Sequence, residues 1–262
     1  MTDILRTLAE AARERVAENR RKVPLMAIAN RASKMNCDTG FPFEKALSQP
    51  GIQFICECKR ASPSKGMIAE DFPYLDIARE YEDAGAAAIS VLTEPTKFLG
   101  SLDYLTDIAS EVSTPVLRKD FIVDEYMIYE AKVVGASACL LIVSLLNEYD
   151  LRRYISLCHM LGMSALVECH ESGEIDTALA CGARVIGVNN RALRTFTVAL
   201  SNSVILRNQV PGSVLFVAES GISTPEDVAV LKRARVDAVL IGESFMRSPD
   251  KKSKLKELRG SE

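Results

Sequence analysis

From residue 54 onward the chain repeats one theme eight times: a short apolar run, then a segment of helical periodicity. Eight such units within 262 residues predict an α/β fold of the (β/α)8, or TIM-barrel, kind. Two further observations support this. The runs are continuous in Val, Ile, Leu and Ala, as parallel strands covered on both faces require. The first run is followed by Arg60-Ala61-Ser62-Pro63, where the competing doubly wound sheet would carry a Gly-rich dinucleotide turn.

Residues 1–50 precede the repeat and read as an N-terminal helical extension. Ile4, Leu5, Leu8, Ala12 and Val16 form an apolar stripe on a charged helix, and Pro24 opens a second helical stretch through Lys34. Such an extension either plugs the barrel bottom or caps its mouth, and the pattern fits both. The barrel is expected over residues 54–258 as a single domain, with no linker or low-complexity stretch to mark a second. Strands are expected at Phe54–Cys58, Ala87–Thr93, Pro115–Lys119, Ala138–Ser144, Ala165–Glu168, Val185–Asn189, Val214–Ser220 and Ala238–Gly242. Helical patterns such as Leu75, Ala78, Arg79, Tyr81 and Glu82 lie between them. Thr224-Pro225-Glu226-Asp227 opens a helix with an N-cap threonine, proline at the first helical position and acids for the dipole. Gly85, Gly135, Gly162 and Gly182 stand where left-handed caps close helices.

Composition narrows the function classes. A net charge of −3 with no basic stripe argues against nucleic acid as partner. No apolar run approaches the length of a membrane span. The first twenty residues lack the apolar core of a signal peptide, and seven cysteines, an odd count, suit a reducing cytosol better than a disulfide scaffold. A cytoplasmic location is therefore expected. Cys56 and Cys58 share the packing face of one strand, and Cys169 and His170 are adjacent rather than spaced for chelation. With only two histidines in the chain, no metal site is expected.

The carboxyl ends of barrel strands point into one shared bowl. Read in order they give Glu57 and Lys59, Lys119, Ser144, Glu168, Asn189, Glu219 with Ser220, and Gly242 with Glu243. Each ends an apolar run that would otherwise exclude it. Strand alternation puts Ile55, Glu57 and Lys59 on one face. Glu57 and Lys59 could be a structural ion pair. Together with Lys119 and Glu168 they form a constellation in which a lysine can serve as acid and a glutamate as base. After the last two strands, Ala218-Glu219-Ser220-Gly221-Ile222 and Leu240-Ile241-Gly242-Glu243-Ser244 place small residues where barrels of this class bind phosphate. Tight turns needing glycine would also explain them. Backbone amides there could hold a phosphate without a dedicated basic side chain.

Glu57–Gly66 (E-C-K-R-A-S-P-S-K-G), Ser90–Pro95, Phe98–Ser101, Leu117–Val123 (L-R-K-D-F-I-V), Ala165–His170, Gly187–Arg191, Ala218–Ile222 and Ile241–Arg247 together resemble the indole-3-glycerol-phosphate synthases. The likeness spans nearly the whole chain, one motif per strand end, and suits a monofunctional form because a fused isomerase would need a second barrel. It implies ring closure, decarboxylation and dehydration of 1-(2-carboxyphenylamino)-1-deoxyribulose 5-phosphate in tryptophan biosynthesis, with no cofactor. It implies catalytic roles for Glu57, Lys59, Lys119, Glu168, Asn189 and Ser220. Substrate contacts are implied for Ser62, Phe98, Arg191, Leu193 and Glu219, and phosphate contacts for Gly221, Gly242 and Glu243. A phosphorylated small molecule is the implied ligand, and a monomer that can associate with other tryptophan-pathway enzymes the expected state.

Two positions depart from the family. Ala192 follows Arg191 where an aspartate is usual, and Glu243 puts a carboxylate beside the expected phosphate site, so its side chain must turn away. Other phosphate-binding barrels, such as a sugar-phosphate isomerase or a Schiff-base aldolase using Lys119 or Lys59, are the alternative enzyme reading. A non-catalytic phosphometabolite-binding barrel would not need all four charged positions.

Overall fold

A computed structural model describes residues 3–192 and 197–260 of the chain. Eight parallel strands close into a barrel in sequence order, the last pairing with the first. They are β1 (Gln53–Cys58), β2 (Ala88–Leu92), β3 (Val116–Lys119), β4 (Ala138–Ile142), β5 (Ser164–Cys169), β6 (Val185–Asn189), β7 (Leu215–Glu219) and β8 (Ala238–Ile241). All eight expected runs are strands. The expected fourth strand ends early, because Val143–Leu145 turns into a 3-10 helix. Ser144 consequently leaves the bowl: it does not line the central cavity, and its buried hydroxyl has no hydrogen-bond partner among the described residues.

Strand alternation divides the core in two. One face of the strands packs outward against the helices, and there Cys56, Cys58, Cys139 and Cys169 are buried. Burial pushes the Cys56 and Cys58 thiols well above their ordinary range. The other face fills the barrel with Ile55, Leu117, Leu140, Leu166, Val217 and Leu240 among others. The helical caps follow the sequence signals. Thr224 and Asp227 form a reciprocal capping box at the start of one outer helix, Pro225–Arg233. The four cap glycines all have positive φ.

The extension does both things its pattern allowed, with different segments. Helices α1 (Asp3–Lys22), α2 (Leu25–Ser33) and α3 (Pro42–Leu47) precede the barrel. Phe43 and Leu47 of α3 join the interior cluster and close the barrel from the amino-terminal side of its strands. Helix α1 lies at the opposite end, where Ile4, Leu5 and Leu8 line the mouth. Ion pairs fasten it there. One nitrogen of Arg15 donates to both Asp120 oxygens at 2.7 and 2.8 Å, and Arg20 pairs with Asp124 at 2.6 Å. Asp120 also accepts from Thr93 (2.6 Å) and Arg118 (3.1 Å). Burial opposes the Asp120 charge, yet Arg118 and Arg15 outweigh it and hold the carboxyl below its usual range. Because Asp120 follows Lys119 directly, this network ties α1 to the end of β3.

Candidate active site

A cavity of about 1010 Å³ opens at the carboxyl ends of the strands. Its floor is built by side chains that end apolar strands. Lys119 on β3 places its ammonium 3.2 Å from Glu168 Oε2 and 3.0 Å from Glu219 Oε2, joining β3, β5 and β7. The two carboxylates are only 4% and 2% exposed, so neither has water enough to carry its charge alone. Burial works against the Lys119 charge, but Glu219 and Glu168, with Glu57 beyond them, raise its pKa above the ordinary lysine range. The carboxylates divide. Burial would also raise Glu168, but Lys119 and His170 outweigh that and keep it ionised. Glu219 is pushed up to about 7, chiefly by burial and then by the neighbouring Glu168 charge, against the pull of Lys119. Its Oε1 has no hydrogen-bond partner among the described residues.

Beside this trio, Lys59 lies 2.5 Å from Glu57 Oε1, and Ser90 approaches the other Glu57 oxygen at 3.4 Å. Two glycines make room for these charges. A Cβ at Gly242 would meet Glu57 Oε1 at 2.4 Å and Lys59 Nζ at 2.8 Å, and one at Gly187 would meet Glu219 Oε1 at 2.3 Å. Gly187 carries no signal in the sequence beyond ordinary strand glycine. The Glu219 side chain, from the adjoining strand β7, takes the space that it leaves.

One wall is aromatic. Phe98 and Phe121 line the cavity with ring centres 5.9 Å apart, near Leu8 of α1. The buried Glu94 carboxylate builds the loop carrying Phe98, accepting from the backbone of Thr96 (2.8 Å), Lys97 (2.7 Å) and Phe98 (3.0 Å). The opposite wall is Ser220-Gly221 after β7 and Gly242-Glu243 after β8. Ser220 itself takes φ 68, a conformation unusual for a residue with a side chain. Buried Asn190 donates to its carbonyl at 3.1 Å and so fixes the turn.

The structure brings Glu57, Lys59, Ser62, Phe98, Lys119, Glu168, Asn189, Arg191, Glu219, Ser220, Gly221, Gly242 and Glu243 onto one cavity. Leu193 falls outside the described residues. Glu243 turns sideways, its carboxylate 3.5 Å from Lys65 and 3.2 Å from Arg247. Basic side chains that the strand ends do not show, Lys65, Arg247 and Lys254, also line the cavity with Arg191. They escape a reading of strand ends because Lys65 sits in the loop after β1 and the other two lie beyond β8. His170 escapes it too, one residue past the end of β5. Among the described residues no group of three His, Cys, Asp or Glu side chains could hold a metal ion.

Fold and site together define a (β/α)8-barrel enzyme with a buried acid–base cluster. Comparison with known proteins is specific. The family model for indole-3-glycerol phosphate synthase matches residues 5–258. The chain is 51% identical to the indole-3-glycerol phosphate synthase of Lachnoclostridium phytofermentans, over 98% of both chains. It is 50% identical to that of Ruminiclostridium cellulolyticum, over 98% of this chain and 99% of the relative. Among solved structures, a 3-hexulose-6-phosphate synthase superposes with a TM-score of 0.62 at 15% identity, covering 79% of this chain and 98% of its own, a likeness of fold alone. The chain belongs to the indole-3-glycerol phosphate synthase family.

Proposed function

We propose that this cavity converts 1-(2-carboxyphenylamino)-1-deoxyribulose 5-phosphate to indole-3-glycerol phosphate, carbon dioxide and water, a carboxy-lyase step of tryptophan biosynthesis. The observation that carries the reading is the Lys119 ammonium held between Glu168 and Glu219 on the cavity floor, between an aromatic wall and a wall of small residues.

Ring closure needs a proton donor at the substrate ketone while the aromatic carbon bearing the carboxylate attacks. Lys119 is that donor: charged in the resting site, aimed by two carboxylates, and releasing its proton as the carbonyl oxygen becomes basic. Loss of carbon dioxide then restores aromaticity. Dehydration needs an acid for the departing hydroxyl and a base for a proton on the methylene carbon beside the nitrogen, because the indole product keeps its N–H. Glu168, kept ionised, takes that carbon proton, and Lys59 with Glu57 serves the hydroxyl. Glu219, titrating near neutral pH, returns the cluster to its starting state. Asn189 and Ser220 orient the reacting atoms, and Phe98, with Ser62, Leu193 and Arg191, holds the substrate. The amides after Ser220 and Gly242 meet the phosphate, with Gly221 and the Glu243 backbone as its close approach. Holding the phosphate and the aryl ring at opposite walls lets binding energy orient the bond-forming carbons.

The alternative of an imine-forming aldolase fits less well. An imine nucleophile must be a neutral amine, and the carboxylates around Lys119 favour its charged form. We also infer a single barrel domain with residues 1–50 as its extension, a monomeric cytoplasmic state, and contact with other enzymes of the pathway. The test is the indole fluorescence that appears when purified protein meets the substrate with no cofactor or metal added. A rise supports the reading. Its absence, or an enzyme–substrate adduct trapped by borohydride, overturns it.

A further inference from the structure

We propose that His170 is a positioning residue for this reaction: its ring, lodged between Glu168 and Glu174, holds one oxygen of the Glu168 carboxylate and leaves the other to Lys119 and the cavity. The proposal rests on the reading of Glu168 as an ionised carboxylate that works on substrate.

His170 does not line the cavity. Its Nε2 lies 3.3 Å from Glu168 Oε1, within ion-pair range, and its Nδ1 lies 3.3 Å from Glu174 Oε2. Each ring nitrogen therefore faces a carboxylate oxygen: Nδ1 lies within hydrogen-bond distance of Glu174, and Nε2 meets Glu168 as an ion-pair contact that makes no hydrogen bond among the described residues. Two carboxylates flanking one ring favour the imidazolium, whose charge both attract. The seat is built. Glu174, in the first turn of the helix Ser172–Ala180, also accepts from the His170 backbone at 2.6 Å, and Asn202 donates to the His170 carbonyl at 3.2 Å. Burial disfavours the charged ring, but Glu168 and Glu174 reverse this and carry its pKa up to about 10.

The consequence is a division of labour at Glu168. Oε1 is occupied by His170 and, at 3.4 Å, by Asn189 from β6. Oε2 faces Lys119 from β3. Burial opposes ionisation of Glu168, and Lys119 and His170 are the cations that overcome it, while the Glu168 charge in turn raises Glu219 on β7. Without His170 the carboxylate loses one anchor and one of two cations.

The test is the pH dependence of kcat and KM for His170→Gln, made in the wild type and in Glu168→Gln. We expect kcat to fall about tenfold at neutral pH with KM little changed, as loss of orientation predicts. The acid limb should move to higher pH, and the substitution should cost nothing further in Glu168→Gln. An unchanged profile, or equal loss in both backgrounds, overturns the role of His170. Wild-type turnover in Glu168→Gln alone would instead overturn the parent reading. Should His170→Gln fail to fold, imidazole NMR of the wild type decides, since only His159 and His170 are present. A His170 ring protonated beyond pH 8 supports the proposal, and one titrating near the free value of about 6.5 refutes it.

Discussion

Replacing Lys119 by methionine separates chemistry from architecture. The ammonium sits between two buried carboxylates at 3.2 and 3.0 Å, so its removal leaves Glu219 without a cation and Glu168 with His170 alone. In a sealed core, breaking such a pair costs roughly 3–5 kcal/mol. Here the cavity admits water, and Glu219, already raised to about 7, can take up a proton and remove the repulsion. The stability loss should therefore be nearer 1–2 kcal/mol by the same reckoning, lowering Tm by about 2–8 °C for a chain of this size. Turnover should suffer far more. Loss of a positioned acid lowers kcat by about 10²–10⁴-fold, or roughly 2.7–5.5 kcal/mol of barrier, while substrate affinity stays within several-fold. Steady-state fluorescence assays and thermal melts of Lys119→Met measure both. Wild-type turnover per folded molecule in that variant would refute the assignment of Lys119 as the acid.

Other perturbations test the remaining walls. Glu57→Gln and Lys59→Met should each cut turnover at least about tenfold with melting temperatures near wild type, since their pair opens onto the cavity; a large fall in Tm with activity per folded molecule preserved would make the pair structural. Gly221→Val should raise KM, because residue 221 has φ +77 and its Cβ would run into Val198 Cγ1 at the proposed phosphate wall; an unchanged KM and unchanged inhibition by inorganic phosphate would place the anion elsewhere. His159 is half-buried against Phe41 near the cation Arg184, and burial, then that charge, depresses its pKa to about 4. Its contribution to stability is present above the unfolded value of about 6.5 and is lost as pH falls through 4. Denaturant titrations should show His159→Phe less sensitive than the wild type over that window, and equal sensitivity would exclude the histidine as a cause.

The strands and the charged cluster were legible in the sequence for one physical reason. Glu57, Lys119, Glu168 and Glu219 each interrupt an apolar run, and a buried strand tolerates a charge only where something outside the core uses it. The same rule misled at Ser144, because a polar residue after an apolar run also marks a chain leaving the sheet, here into a 3-10 turn. The extension was legible as helix but not as a division of work. An apolar stripe records that a face is buried and not which end of the barrel buries it. That choice comes from Arg15 meeting Asp120, 105 residues away, and from Phe43 meeting the barrel interior. Gly187 and Gly242 were illegible in a subtler way. Their role is to leave space for carboxylates on neighbouring strands, which only the register of the barrel discloses.

A crystal structure with bound indole-3-glycerol phosphate tests whether Lys119 works between these two walls. The phosphate is expected on the amides after Ser220 and Gly242, the indole ring at Phe98 and Phe121, and the carbon that was the ketone within reach of Lys119. Product bound with its phosphate away from those turns, or with Lys119 out of hydrogen-bonding reach, would contradict it.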